Sequence, residues 1–453
     1  MRDFNKKPIV LFFSREYQSQ FFPTLVSDKY DSIHVTLSIK EKRNVESRGG
    51  IVVGCLEEMY GDLAEANIVF PYLDHSMGSD RYIVGHSHME RLAILKKCVT
   101  FWRDIYNTYQ PHYVINEVVA LEISEIMYIE ARVRNIRYLA FGAFPVKKSF
   151  YWHDNPFHSS MPEKIQSMIP SEQDLIDAQA YMDKVNSGPI DNPFIKEYKL
   201  GKDFSRLKEL FKHLLYSIYI RLKIGNKVIR QVCYGNAIGY YITEIKHYFN
   251  YILKDSSYDD MNDLNKDDKC IFYPMHFEPE ATLFYMSTYY DNQLALVENL
   301  LKCLSEDQFL LVKEHPAQAG FLTQKIWLKL KNRFPNAKFI KAEVSSKEII
   351  VRSDVVITLV STAGFEAMIL DKPVIVLGKI YFDAFDGVNH CETFEEIYDL
   401  LRGKKEFKQR KSIHIYLAKL IAMQNVGNPW PHDGLYSAKN IADIRMAIER
   451  GMD

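Results

Sequence analysis

Residues 355–378 read VVITLVSTAGFEAMILDKPVIVLG, and the succession of residue types along them sets the fold class. Val355-Val356-Ile357-Thr358-Leu359-Val360 is a β-branched run of buried-strand length. Ser361-Thr362-Ala363-Gly364 are small, and Ser or Thr can cap a helix N-terminus. A short helix from Phe365 to Leu370 is stopped by Asp371-Lys372-Pro373, and Val374-Ile375-Val376-Leu377 is the next strand. A helix that begins behind a strand without bulky side chains leaves backbone N–H groups aimed at one spot. That spot carries roughly half a positive charge and suits a phosphate. The plain alternative is a βαβ unit whose helix caps itself.

Outward from this stretch the same alternation repeats. Toward the N-terminus, Cys270-Ile271-Phe272-Tyr273 is a strand followed by the loop Pro274 to Glu280, then a helix from about Gln293 to Leu304. Phe309 to Lys313 is a strand ending in Glu314-His315-Pro316, with a helix over Phe321 to Arg333, a short strand Lys338-Phe339-Ile340 and a helix around Lys347 to Val351. The first part of the chain has the same grammar. Pro8 to Phe13, Ile33 to Leu37, Asn67-Ile68-Val69-Phe70, His112 to Ile115 and Tyr138 to Phe141 read as strands. Helical spacing of Leu92, Ile94, Leu95, Val99, Trp102, Ile105 and Tyr106 predicts a helix over His88 to Tyr109, and another follows at Leu121 to Arg134. Strands alternating with helices predict parallel, doubly wound sheets. The expected fold is α/β and GT-B-like: two Rossmann-like domains facing a central cleft, with a helical insertion between them.

The expected organisation is an acceptor domain over 1–150, a largely helical insertion over 151–267, a nucleotide-sugar-binding domain over 268–400, and C-terminal helices over 401–453 packing back on the N-terminal domain. Within the insertion, residues 202–230 form a basic amphipathic helix, with Lys202, Arg206, Lys208, Lys212, Arg221, Lys223, Lys227 and Arg230 set against Asp203 and Glu209. Such a helix lies on an anionic membrane surface, or packs its apolar stripe on a domain and solvates its charges. The acidic stretch Asp255 to Asp268 reads as an exposed linker.

Bulk properties narrow the class. With 453 residues, 47% hydrophobic and 25% charged, the chain suits two or three globular domains. A net charge of −1 gives no global field for nucleic acid. Six scattered cysteines without a CxxC pair fit reduced thiols in a cytosolic protein, not a zinc or disulfide framework. The apolar run at the N-terminus is too short for a signal peptide, and no run reaches the ~18 apolar residues of a membrane span. No GxGxxG follows the first strand, which disfavours a nicotinamide-type site.

Two facing domains of this kind bring their carboxyl-end loops to one cleft. From the second domain these are the 274–280 loop, His315-Pro316, the Ser361 turn and the loop after Gly378. His315 can donate to a phosphate oxygen or serve as a buried strand-end histidine. Pro316 fixes the backbone after it. Glu366 can bind a sugar hydroxyl or be a helix-surface charge, and Glu278 and Glu280 can be donor contacts or loop carboxylates. From the first domain, Ser14, Arg15 and Glu16 mark the acceptor side, and Glu117 ends a strand on the cleft side.

Phe272 to Leu283 (FYPMHFEPEATL), Lys313-Glu314-His315-Pro316 and Ser361 to Gly378 resemble the capsule polysaccharide biosynthesis family, which includes Kdo transferases of GT-B fold. The resemblance covers mostly residues 270 to 390. The His-Pro pair and the downstream Ser-Thr turn are also similar to the nucleotide sites of bacterial sialyltransferases. The resemblance implies a donor nucleotide site at His276, Glu278, Glu280, Lys313, His315, Pro316, Ser361, Thr362, Ala363, Gly364 and Glu366, taking Kdo or another nonulosonic acid in CMP-activated form. Catalysis is assigned to Glu117 and His315. The acidic motif that supplies the base in several sialyltransferases is not evident, and Glu117 is nominated in its place. No obligatory cofactor or metal is expected: the only paired aspartates, Asp259-Asp260 and Asp267-Asp268, fall in the acidic stretch. The implied activity is transfer of the sugar to a bacterial cell-surface polysaccharide or glycolipid, by a cytoplasmic enzyme peripheral to the inner membrane. The competing readings are a non-hydrolysing UDP-sugar epimerase of the same fold and a non-catalytic glycan-assembly protein.

Overall fold

The apolar runs that open each half of the sequence become the central strands of two separate sheets. The computed structural model describes residues 7–67, 86–120, 122–144, 146, 149–156, 161–188, 204–224, 237–253, 257–278, 281–290, 292–383, 385–409 and 412–452. The chain divides into two units. The first comprises Met1–Pro156, Ile218–Ala237 and Gln424–Asp453, the second Phe157–Ser217 and Ile238–Met423.

The first unit contains β1 (Ile9–Phe13), β2 (Asp31–Thr36), β3 (Val52–Cys55), β4 (Tyr113–Asn116), β5 (Arg137–Ala143) and β6 (Ser149–His153). The second contains β7 (Lys269–Pro274), β8 (Gln308–Lys313), β9 (Ala337–Ile340), β10 (Val355–Thr358), β11 (Val374–Val376) and β12 (Val388–His390), after which β13 (Asn425–Val426) returns to the first. The first sheet runs β13-β6-β5-β4-β1-β2-β3, parallel from β1 to β5 with β6 and β13 as an antiparallel edge. The second runs β12-β11-β10-β7-β8-β9 and is parallel throughout. These are the two Rossmann-like sheets that the alternation predicts. Each sheet winds outward from its first strand, then restarts on that strand's other side. The reversal falls between β1 and β4 in one unit and between β7 and β10 in the other. There the loops at the carboxyl ends diverge and open a crevice.

Burial follows the residue pattern. All five residues of β1 and all four of β10 are buried, as strands covered on both faces require. The helix His88–Tyr109 starts on a capping box between Ser87 and Glu90 and buries Ile94, Leu95, Val99, Trp102, Ile105 and Tyr106. At the C-terminus, the helix Ala438–Met452 lays Ile444, Ala447 and Ile448 into a core with Val10, Ile115, Phe141 and Phe150 of the first sheet. Tyr113 Oη donates to the Met452 carbonyl (2.8 Å), pinning the end of that helix.

The helical segment that precedes β7 includes Met161–Ser167, Glu172–Ser187, Phe204–Ile224 and Ala237–Leu253. The first two pack with Ile413–Met423 in the second unit. Lys347 Nζ donates to the carbonyls of Asn186 (2.9 Å) and Gly188 (2.7 Å), so a cation closes the C-terminus of Glu172–Ser187.

Several details differ from the sequence reading. β10 stops at Thr358, and Leu359-Val360 leave the ladder for the loop. The strands β3, β6 and β12 carry no long apolar run and pair at or near sheet edges. Residues 257–268 do not hang free. Asp259 N donates to Phe339 O and its Oδ2 accepts from Phe339 N (both 2.8 Å), which ties the acidic segment to β9. The expected strand Asn67-Ile68-Val69-Phe70 falls mainly outside the described residues, as do Lys202, Lys227 and Arg230.

Ile448→Ala removes buried methylenes from the junction of the terminal helix and the first sheet. Urea unfolding is expected to show a loss of about 2–4 kcal/mol. A loss below about 1 kcal/mol would mean that the helix is not part of this core.

Candidate functional site

In the second unit the crevice between β7 and β10 is shaped by one buried amide. Gln293 opens the helix Gln293–Cys303 and is fully buried. Its Oε1 accepts from Tyr273 Oη (2.9 Å) and His276 N (2.6 Å), and its Nε2 donates to His276 O (2.9 Å) and Glu278 Oε1 (2.9 Å). Glu278 Oε1 also accepts from Gln293 N (2.9 Å), and Glu278 N donates to Gln318 Oε1 (2.6 Å). The Glu278 carboxylate thus holds the loop after β7 in place. Glu280 lies outside the described residues.

The loops of neighbouring strands are fastened to each other along this edge. His276 Nε2 accepts from Val360 N (3.3 Å), which puts the ring proton on Nδ1 and joins the β7 and β10 loops. Met275 N donates to Lys313 O (2.9 Å), joining β7 to the end of β8. Gly378 N donates to Leu359 O (3.2 Å), joining the β11 loop to the β10 loop. A Cβ at Gly378 would lie 2.6 Å from Val360 Cγ1, so this approach needs glycine. The four loops expected to converge are therefore neighbours on one edge. His315 and Ser361 flank the β7 loop on either side, because β7 lies between β8 and β10.

The helix Thr362–Ile369 begins where expected, but most of its first amides are occupied. Ser361 N donates to Thr358 Oγ1 (2.9 Å), Ala363 N to Ser361 Oγ (3.2 Å) and Gly364 N to Ser361 O (3.1 Å). A phosphate seated here would take the Ala363 amide from the Ser361 hydroxyl. Gly364 serves packing: a Cβ would lie 2.7 Å from Thr358 Cγ2 and 3.0 Å from the Phe382 ring.

Beneath these loops sits a buried ionisable group of three. Lys313 ends β8 and donates to Ser346 Oγ (3.1 Å). Burial lowers its pKa to about 8, against the pull of Glu366, Glu343 and Glu348. Glu366 faces inward from its helix, and burial raises it to about 7, with Lys313 opposing. Tyr181, on Glu172–Ser187, is pushed up by burial and by Glu366. Glu366 is thus no surface charge of its helix. His315 is half-buried and meets Phe277 edge-on, with ring centroids 6.2 Å apart. Pro316 opens the short turn Pro316–Gln318. The neighbouring Glu314 is buried and accepts from Tyr258 Oη (2.9 Å) and Leu322 N (3.4 Å), bracing that turn. Sequence reading missed Gln293, Tyr181 and Ser346. Each looks like an ordinary helix residue until the fold supplies its partner.

In the first unit the loops after β1 and β4 meet at the corresponding reversal. Ser14 is buried and its Oγ bonds His34 Nδ1 (2.9 Å). Burial lowers the His34 pKa to about 3, so the ring is neutral near pH 7. Arg15 is half-buried with its guanidinium 5.8 Å over Phe13. Glu16 is exposed, with φ of 47° and its amide donating to Glu41 Oε1 (2.8 Å). Gln18 Nε2 donates to Glu117 Oε2, and Tyr17 also bonds that carboxylate. Burial raises the Glu117 pKa, while Arg15 draws it down.

Residues 163–425 match the family described as capsule polysaccharide biosynthesis protein. The match takes in the helical segment as well as the second sheet. No curated protein matches the chain. Among solved structures the chain is similar to KpsC, beta Kdo 2,7 transferase, of Thermosulfurimonas dismutans, at 13% identity and a TM-score of 0.42, over 92% of this chain and 99% of that one. It is similar to KpsC, beta Kdo 2,4 transferase, of the same organism at 14% identity and 0.37, over 75% and 88%. UDP-GlcNAc 2-epimerase from Neisseria meningitidis, bound to UDP-GlcNAc, is similar at 12% identity and 0.30, over 98% and 100%. Overlaps at these scores carry nothing about substrate or mechanism.

Glu366 gives a pH test. An unfolded glutamate ionises near 4.5 and the folded one near 7. Between those values the folded protein keeps a proton that the unfolded chain has released, so this contribution to stability falls as pH rises. From pH 5 to 7.5 the wild type is expected to lose roughly 1–3 kcal/mol more than Glu366→Gln in urea unfolding. Parallel profiles for the two proteins would remove Glu366 from the buried group.

Proposed function

The chain belongs to the capsule polysaccharide biosynthesis family, and we propose that it is a glycosyltransferase moving Kdo or another nonulosonic acid from its CMP-activated form onto a cell-surface polysaccharide or glycolipid. One observation carries the reading: a His-Pro loop, a Ser-capped helix start and a buried lysine stand at the carboxyl ends of β8 and β10, either side of the strand reversal. Charges and donors for a leaving phosphate are thereby grouped where a nucleotide enters a doubly wound sheet.

In this reading His315, Ser361, Thr362 and Ala363 hold the CMP phosphate. Lys313, still largely protonated near neutral pH, supplies positive charge behind it. Glu366 takes a ribose hydroxyl, and His276 and Pro316 shape the pocket. The bond from the anomeric carbon to the phosphate oxygen breaks, and CMP leaves with the electron pair. The acceptor hydroxyl forms the new bond, and Glu117 serves the acceptor side with Arg15 and Glu16 beside it. The chain's own groups neutralise the leaving phosphate, so the reading asks for no cofactor beyond the sugar nucleotide. It takes the protein to be cytoplasmic and peripheral to the inner membrane. No described helix is long and apolar enough to cross a membrane.

Titration calorimetry is expected to show CMP binding in preference to UDP, with His315→Ala weakening it about tenfold or more at an unchanged melting temperature. Folded protein that binds neither nucleotide would end the donor-site reading. With CMP-Kdo and a glycolipid acceptor, Glu117→Gln is expected to lower turnover by about 10²–10⁴-fold while CMP affinity holds. Turnover at the wild-type rate would free Glu117 of any catalytic part. Conversion of UDP-GlcNAc alone into an isomer would replace the transferase with an epimerase.

A further inference from the structure

The helix Phe204–Ile224 is apolar on more of its circumference than its neighbours cover. Its inner side carries Leu207, Leu210 and Leu214, which are half-buried. The helix Ala237–Leu253 lies alongside: His213 stacks on Tyr241 with centroids 5.5 Å apart, and Arg206 pairs with Glu244 at 3.5 Å. The other side faces water. Phe204 is 74% exposed, Leu215 65% and Leu222 81%, with Phe211 and Ile218 also exposed. At about 3.6 residues per turn these five fall in one stripe running most of the helix length, roughly 27 Å. Exposed Lys208 and Lys212 follow one border of the stripe, as do the exposed rings of Tyr216 and Tyr219.

We propose that this outward stripe seats the protein on an anionic lipid bilayer. Phe204, Leu215 and Leu222 enter the boundary between headgroups and acyl chains, and Lys208 and Lys212 meet lipid phosphates. Charge complementarity selects this occupant. Ordinary soluble surfaces do not leave three large apolar side chains more than half exposed in one line. A cationic border along such a line, with tyrosines at the margin, is the pattern of a helix lying in a membrane interface. The seating side is not the Leu207/Leu210/Leu214 side that the sequence's hydrophobic spacing also offers. The contact is independent of donor and reaction, so it stands or falls apart from the transferase reading.

The test is sedimentation of the full chain with vesicles of phosphatidylcholine alone and with about 30% phosphatidylglycerol. Binding is expected only to the anionic vesicles, with release as salt rises from about 0.05 M to about 0.5 M. Leu215→Glu with Leu222→Glu is expected to lower the bound fraction about tenfold or more at an unchanged melting temperature. Lys208→Glu with Lys212→Glu tests the charge separately and is expected to weaken binding and flatten its salt dependence. Protein that stays in the supernatant at low salt overturns the proposal, as does equal binding by the Leu215/Leu222 variant. So does a dimer in solution that this variant dissociates without any vesicle binding, which would assign the stripe to a second copy of the chain. CMP titration of the same variants separates these outcomes from loss of the donor site.

Discussion

The second unit is organised by the reversal of strand order between β7 and β10, and the crevice there is kept by the amide of Gln293. A reversal alone only parts two loops; it does not say what fills the gap. Met275 and Phe277 are apolar neighbours in the β7 loop, and collapse over the sheet would bury them at little cost. Gln293 prevents this by using its oxygen and its nitrogen twice each on Tyr273, His276 and Glu278. Each such bond is worth only about 1 kcal/mol net. Any other loop path would strand some of these partners without water, which costs more than the bonds contribute. The loop's shape is therefore set mainly by what its alternatives would leave unsatisfied.

With the loop fixed, burial does the electrostatic work below it. Lys313 stands at the end of a central strand, where its ammonium cannot reach bulk water, and its pKa falls to about 8. Glu366, Glu343 and Glu348 limit that fall, so the side chain stays charged near neutral pH. Glu366 is lifted by the same burial to about 7 and cannot fully neutralise the lysine there. The result is residual positive charge under a loop edge that already carries helix-start amides. Perturbed titratable groups of this sort gather at functional sites because an incoming anion completes a balance that the protein leaves open.

Much of the frame is readable from residue order, and less of the site. The run from Val355 to Leu377 fixes a βαβ unit because β-branched residues, small residues and a Pro stop fall in sequence. The helix His88–Tyr109 is legible from its spacing and its Ser-x-x-Glu cap. Edge strands are harder: β12 is Val-Asn-His, and only its partner β11 makes it a strand. The helix start at Ser361 shows the limit most clearly. Small residues there announce both a phosphate cradle and a self-capped helix, and the structure has the cap in place. Gln293 is beyond reach for another reason. Nothing local marks a glutamine at a helix start as the hub of a loop that precedes it in the chain.

The first unit has the same reversal and fills it with different chemistry. At its β1 end, Ser14 is immobilised against a neutral His34 and serves the frame. At its β4 end, Asn116-Glu117 occupies the place that the apolar Leu359-Val360 takes after β10. Burial raises Glu117 more than Arg15 lowers it, so the carboxyl is a better proton acceptor than one in water. Gln18 and Tyr17 hold it in one orientation, which a base or nucleophile requires and a solvated glutamate lacks. One backbone topology thus carries a proton-accepting edge in one unit and an anion-accepting edge in the other. The difference rests on the residues that come directly after the fourth strand of each unit: a carboxylate fixed by hydrogen bonds, or a pair of aliphatic residues that hands the position to a helix N-terminus.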